Sequence, residues 1–351
     1  MTRLIRLAIA FAAGLLFAGC HSDSFAPADY GAVGPLHPGP EALIADTGST
    51  PTWTDDGAGI LYTTDGPPVD SSGCPTIKRP QPQAGGIAAV VMVPAVGGSA
   101  IWTHCESRAP MIFNPDSAEK FPAFAMASGG RLLYVEAIGS NPAAPPPCLC
   151  TPFPVGWHAE LWVADSGGAA SVPRRLLTLY HDHVGQSPFG PTDVDWLTDI
   201  HWIGASDYVA LGQNLNPMGI FTNLGVVRGN TDGSGVQIVT GTTGAQHYSM
   251  AENNASIVFT VDSAIERVAA GGGTPTIVAH VAAIADISCK GEFCLVLGGG
   301  KFWGVDLGKG AVAALANDSH GFVSARLSPT SNSVVAAGSS GGIYLLTDLV
   351  H

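Results

Sequence analysis

One pattern of apolar and polar positions recurs six times along the chain. A short strand carries one large apolar residue, a polar turn follows, and then comes a β-rich apolar run. Trp53-Thr54-Asp55-Asp56-Gly57 leads to Ile60-Leu61-Tyr62, and Phe124 leads to Leu132-Leu133-Tyr134-Val135. Trp202 precedes Tyr208-Val209-Ala210-Leu211, Tyr248 precedes Ile257-Val258-Phe259, Ile287 precedes Cys294-Leu295-Val296-Leu297, and Leu327 precedes Val334-Val335-Ala336. The later spacings of 46, 39 and 40 residues, between positions 202, 248, 287 and 327, suit one four-stranded propeller blade each. The earlier spacings of 71 and 78, from 53 to 124 to 202, are a blade plus an insertion.

Several repeats continue into two further strands around a Gly-rich turn. Leu161-Trp162-Val163-Ala164-Asp165-Ser166-Gly167-Gly168 precedes Arg175-Leu176-Leu177, and Phe302-Trp303-Gly304-Val305-Asp306 precedes Val312-Ala313-Ala314-Leu315. With these residues in view, the chain resembles the TolB-like, WD40-like β-propeller family. Blades of that family read W-S-P-D-G-x-x-I-A-F followed by I-Y-V-x-D-x-x-G…L-T, and the resemblance covers residues 41–350. It implies a fold and no activity.

The expected fold class is all-β, a six-bladed propeller over 41–351 closed by an N-terminal strand. The last repeat ends at Ile343-Tyr344-Leu345-Leu346-Thr347-Asp348, one strand short. Ala42-Leu43-Ile44-Ala45-Asp46 can supply that strand, which would remove an open sheet edge and lock the ring. A seventh short blade hidden in an insertion is the alternative. In a blade with strands a to d, the b–c and d–a loops leave by one face and the a–b and c–d turns by the other. The long segments Gly66–Gly86, Cys105–Lys120, Gly139–His158 and Tyr180–Asp199 are b–c or d–a connections, so all four fall on one face. Long loops on a rigid scaffold are where recognition concentrates.

Ahead of the repeats, residues 1–20 read as an export signal. Arg3 and Arg6 precede an apolar run of 11 residues, Leu7–Phe17, too short to span a bilayer. Leu16-Phe17-Ala18-Gly19-Cys20 resembles the bacterial lipobox, which implies cleavage before Cys20 and its diacylation. Residues 21–40, rich in Pro, Gly and Ala, read as a flexible tether. The expected location is therefore exported, periplasmic or cell-surface, with a lipid anchor as the only membrane contact.

Charge narrows the partners: 15 Lys+Arg against 28 Asp+Glu give −13 and argue against nucleic acid. The hydrophobic share of 46% excludes wholesale disorder. Apart from Cys20, six cysteines remain, an even number that favours disulfides in an exported chain. Cys289 and Cys294 flank one a–b turn and could face each other across the hairpin. Cys74, Cys105, Cys148 and Cys150 fall in the long loops, where Cys148 and Cys150 are too close to pair comfortably with each other. A four-cysteine zinc site is the rival, although no CxxC pair is present.

Catalytic motifs are weak. Asp46-Thr47-Gly48-Ser49 and Asp165-Ser166-Gly167 echo an aspartic-protease pair, but they would lie on opposite faces and so could not share a proton. His181, His183, Asp193 and Asp195, with Asp182, Asp199 and His201 nearby, could contribute to a metal site, against the simpler reading of a solvated polar loop. No cofactor is expected beyond that metal alternative. Aligning the inner strands gives a column just before the large apolar residue: Thr52, Ala123, His201, His247, Asp286 and Arg326. If it lines the channel mouth, imidazoles, a carboxylate and a guanidinium converge there as a small-ligand site. The expectation is a non-catalytic scaffold docking onto an envelope or membrane protein complex as an accessory subunit. The alternatives are a channel-mouth enzyme, such as a metal-assisted hydrolase, and a small-ligand receptor.

Overall fold

The structure, a computed structural model, describes residues 41–65, 87–97, 99, 101–107, 124–126, 131–138, 158–164, 174–181, 194–215, 221–347 and 349. The segment 1–40 with Cys20, and Cys74, Cys148, Cys150, His183 and Asp193, lie outside these residues.

Among the described residues, 24 strands form six four-stranded antiparallel sheets. After β1 (Glu41–Ala45), blade 1 is β2 (Ser49–Trp53), β3 (Gly59–Asp65), β4 (Ile87–Pro94) and β5 (Ile101–Ser107). Blade 2 is β6 (Phe124–Met126), β7 (Leu132–Ile138), β8 (His158–Ala164) and β9 (Arg174–His181). Blade 3 is β10 (Trp196–Ile203), β11 (Asp207–Leu215), β12 (Phe221–Asn230) and β13 (Val236–Ile238). Blade 4 is β14 (His247–Ala251), β15 (Ser256–Val261), β16 (Ala264–Ala269) and β17 (Thr276–His280). Blade 5 is β18 (Ile284–Lys290), β19 (Phe293–Gly298), β20 (Lys301–Asp306) and β21 (Ala311–Asn317). Blade 6 is β22 (Phe322–Leu327), β23 (Val334–Gly338) and β24 (Ile343–Leu346), with β1 as its outer strand. Every described strand is placed by these six sheets.

Closure follows the expectation closely. β1 pairs antiparallel with β24, Glu41 opposite Leu346 and Ala45 opposite Ile343. His320, in the turn before β22, forms an ion pair with Glu41 and stacks on Tyr344 at 4.3 Å, tying the first strand to the last blade.

Burial explains why the second strand of each blade is an unbroken apolar run. It is covered on both faces by the neighbouring blades, so alternation has no purpose there. Ile60–Tyr62, Leu132–Val135, Val209–Leu211, Ile257–Phe259, Cys294–Leu297 and Val334–Ala337 are all buried. Outer strands have a wet side, and β17 buries only Ala279 fully. Between blades 3 and 4, Val209, Leu211 and Val226 pack against Tyr248, Ile257 and Phe259; between blades 4 and 5, Val258 and Ile265 pack against Ile287 and Val296. Burying such a side chain contributes about 1.5–3 kcal/mol, so these seams hold the ring.

Three loop boundaries are corrected, the first at His158, which opens β8 and leaves a connection of 139–157. Cys105 belongs to β5, where it pairs with Ala89, so that connection runs over 108–123. His181 ends β9 opposite His158, and residues 196–199 open β10, leaving a connection of 182–195. Cys289 and Cys294 face each other across the β18–β19 hairpin and are joined by a disulfide, with 4.0 Å between their Cα atoms.

Candidate functional site

The inner strands of four blades carry the same irregularity just before the channel position. Register shifts fall between Ser49 and Thr52, Thr198 and His201, Ile284 and Asp286, and Phe322 and Ser324. A bulge inserts an unpaired residue, bends the strand and re-aims side chains. Thr50 and Asp199 accordingly take positive φ, both 49°, a conformation Asp tolerates better than most residues.

These bends bring charged groups from three blades onto the channel axis. Arg326 of β22 donates from Nη2 to Asp199 Oδ1 at 2.8 Å and from Nη1 to Asp286 Oδ1 and the Ile287 carbonyl. Asp286 is otherwise satisfied by its own strand and the next, accepting from the amides of Ile287 and Ala325. His201 Nε2 lies 3.1 Å from Asp199 Oδ1, and the Tyr248 hydroxyl donates to the Asp199 carbonyl at 2.6 Å. Trp53 of blade 1 donates its indole N–H to the Arg326 carbonyl. Blades 1, 3, 4, 5 and 6 therefore meet at a single hydrogen-bonded knot.

Electrostatics follow from that geometry. Burial works against ionisation of Asp199, but the charges of Arg326 and His201 outweigh it and hold the carboxyl well below the usual range. Burial likewise opposes the Arg326 charge, and the two carboxylates raise its affinity for the proton above the ordinary guanidinium value. His247 is pushed down, by burial first, with Arg326 adding to it and Asp286 and Asp199 opposing. Burial drives the Tyr248 hydroxyl well above its normal pKa, so it acts here as a donor only.

The knot divides the axial channel. On the insertion face lies a cavity of about 310 Å³, lined at its mouth by Thr50, Thr198, Gln246, Ala285 and Val323. On the opposite face a cavity of about 360 Å³ is walled by the a–b turns, including Asp55, Asn253, Asn254, Gly291 and Pro329. Thr52, His201 and Arg326 line both, so the ion pairs stand between them as a plug.

The structure thus brings together His201, His247, Asp286 and Arg326, the column read from the sequence, and adds Asp199. Ala123 lies outside the described residues. Of the column residues, Arg326 and Asp286 pair with each other, and His201 pairs with Asp199. Of the large apolar residues beside the column, Trp53 and Tyr248 are core, whereas Trp202 is only half-buried, with the Arg131 guanidinium 5.1 Å from its ring. Of the metal candidates, His183 and Asp193 lie outside the described residues, and of His181 only the backbone is described. Asp195 is buried and accepts from the Asn214 amide at 3.0 Å, and among the described residues no group of three or more His, Cys, Asp or Glu is placed to hold a metal.

No known family model matches the chain, and no curated protein matches it in sequence. Among solved structures it is similar to an oligogalacturonate lyase from Vibrio parahaemolyticus, at 10% identity over 89% of this chain and 92% of that one, with a TM-score of 0.49. A gluconolactonase from Xanthomonas campestris shows 12% identity over 89% and 98%, with a TM-score of 0.46. A β-propeller domain from Myceliophteria thermophila shows 9% identity over 86% and 98%, with a TM-score of 0.49. Likenesses this distant carry nothing about activity. The blade count rests on the strand pairing of this chain itself: a six-bladed β-propeller closed by its own N-terminal strand.

Proposed function

We propose that this chain is an exported, lipid-anchored binding propeller of the TolB-like kind, which docks through its insertion face onto an envelope or membrane protein complex as a non-catalytic accessory subunit. In this reading residues 1–20 are a signal ending at the acylated Cys20, 21–40 are a tether, and 41–351 are the propeller. The observation that carries it is the placement of the four long connections, 66–86, 108–123, 139–157 and 182–195, all of which join strand ends on one face of the ring. A rigid ring with added chain on a single side is a platform for recognition. The channel favours the same reading over chemistry. Arg326 and both oxygens of Asp286 are committed to holding blades together, which leaves no nucleophile paired with a base at the knot.

The test is purification of the full chain from its native membranes in mild detergent, with quantitative mass spectrometry of what accompanies it. A stoichiometric membrane complex is expected, lost when residues 139–157 are replaced by a short Gly-Ser connection and retained in His247→Gln. A solitary protein, or a partner indifferent to all four insertions, would sink the docking reading. Intact mass of the purified chain checks the anchor independently: an unmodified Cys20 removes it.

A further inference from the structure

The insertion-face cavity holds more than the plug needs. Asp199 uses Oδ1 for both Arg326 and His201, while its Oδ2 bonds to none of the described residues. The His247 ring, which also lines the cavity, makes no hydrogen bond among the described residues. Thr52, Thr198 and Ser324 line the same space. Pro51, Ile200, Leu211 and Val323 add apolar surface to the lining. Val323 is 54% exposed, an unusual position for a large apolar residue at the entrance to a polar channel.

Charge decides which ligand fits. The floor holds two carboxylates, Asp199 and Asp286, and one guanidinium shared between them. An anion would be set against both carboxylates, to which the Nη atoms of Arg326 already donate. A metal ion would need three converging ligands, which the described residues do not provide. A small cation with hydrocarbon attached would satisfy the free carboxylate oxygen and the apolar lining together. The surrounding field, from a chain of net charge −13, favours its approach.

We propose that this cavity is a binding site for a small organic ammonium compound, its charged nitrogen on Asp199 Oδ2 and its aliphatic body against Ile200, Leu211 and Val323. The volume of about 310 Å³ is at the small end of ordinary ligand pockets, which limits the ligand to a compact one.

Three probes of nearly one shape test this: n-butylammonium, 1-butanol and butyrate, each titrated into the full chain and followed by NMR. Butylammonium should bind saturably and about tenfold more tightly than 1-butanol, the advantage of a hydrogen bond to a charged group, with butyrate weakest. Asp199→Asn should erase the preference for the ammonium, but it also removes a partner of Arg326 and can cost the fold. Val323→Lys avoids that difficulty. The residue is exposed and outside the ion pairs, so the variant should melt like the parent while its affinity for butylammonium falls about tenfold. Equal binding of the three probes, tightest binding of butyrate, or an ammonium preference untouched by Val323→Lys would overturn the proposal. Replacing 139–157 leaves the cavity lining intact, so this site and the docking face fail separately.

Discussion

Blades 4 to 6 and blades 1 to 3 share one four-strand plan but connect their strands differently. In the first arc the insertion-face connections are 262–263, 281–283, 299–300, 318–321 and 339–342; in the second they include 66–86, 108–123, 139–157 and 182–195. Short turns fix register between neighbouring strands. Longer connections add closure entropy only slowly, so a blade can carry one without being rebuilt. The compact arc also holds the disulfide, the closing strand and three of the five charged or imidazole groups of the knot. Rigidity and variation are thus set on different sides of one ring. Arg326 joins them by reaching from blade 6 across the axis to Asp199 of blade 3.

The hardest test of that division is to cut the bridge. Arg326→Met would leave Asp286, whose side chain is 4% exposed, and Asp199 without their cation. Breaking a buried pair from one side costs about 3–5 kcal/mol, which denaturant unfolding would resolve. Arg228→Met removes an exposed pair with Asp207 inside the insertion arc and should cost about 0–1 kcal/mol. Comparable losses from the two substitutions would mean that the axial contact is no bridge.

A smaller effect should follow from opening the disulfide of the compact arc. Cys289→Ala with Cys294→Ala frees a six-residue loop and should cost about 2 kcal/mol, as expected for a short closed loop. Hydrogen exchange locates the loss. Faster exchange confined to β18 and β19 would show the bond bracing one hairpin of the compact arc, whereas equal acceleration in β3 and β4 would show the arcs to be less separate than their connections imply.

Much of this plan was legible in the sequence because burial writes it there. A strand covered on both faces must be apolar throughout, so Ile60–Tyr62 and Val334–Ala337 stand out, and a last repeat lacking one strand calls for β1. The ends of outer strands are less legible. Cys105 and His181 continue ladders in residues that look like loop, since a wet outer strand and a loop use similar side chains. The axial column could be read because one register position recurs before each large apolar residue. Asp199 could not be read in the same way. The pattern starts the inner strand near His201, whereas pairing begins at Trp196 and passes through a bulge that no alternation marks, so Asp199 looks like one more loop carboxylate. That Arg326 would span the ring to reach it depends on distances across the axis, which no one-dimensional pattern contains.

The smallest predicted effect concerns pH, and it separates the two carboxylates' knot from its histidine. Burial, with help from Arg326, holds the His247 pKa below its ordinary 6.5 against the pull of Asp286 and Asp199. The folded protein therefore binds this proton less readily than the unfolded chain. Its contribution to stability is fully present above pH 6.5 and is lost as the pH falls through the folded value. Asp199 works lower on the scale: its contribution is present above the ordinary 3.8 and is lost only as the pH falls through its depressed value. His247→Gln, a neutral side chain at the same place, should flatten the fall in stability below pH 6.5 while leaving the acid loss near and below pH 3.8 unchanged. Unfolding free energies measured across both windows distinguish the cases. If the parent and His247→Gln lose stability in parallel below pH 6.5, the slope belongs to groups other than His247.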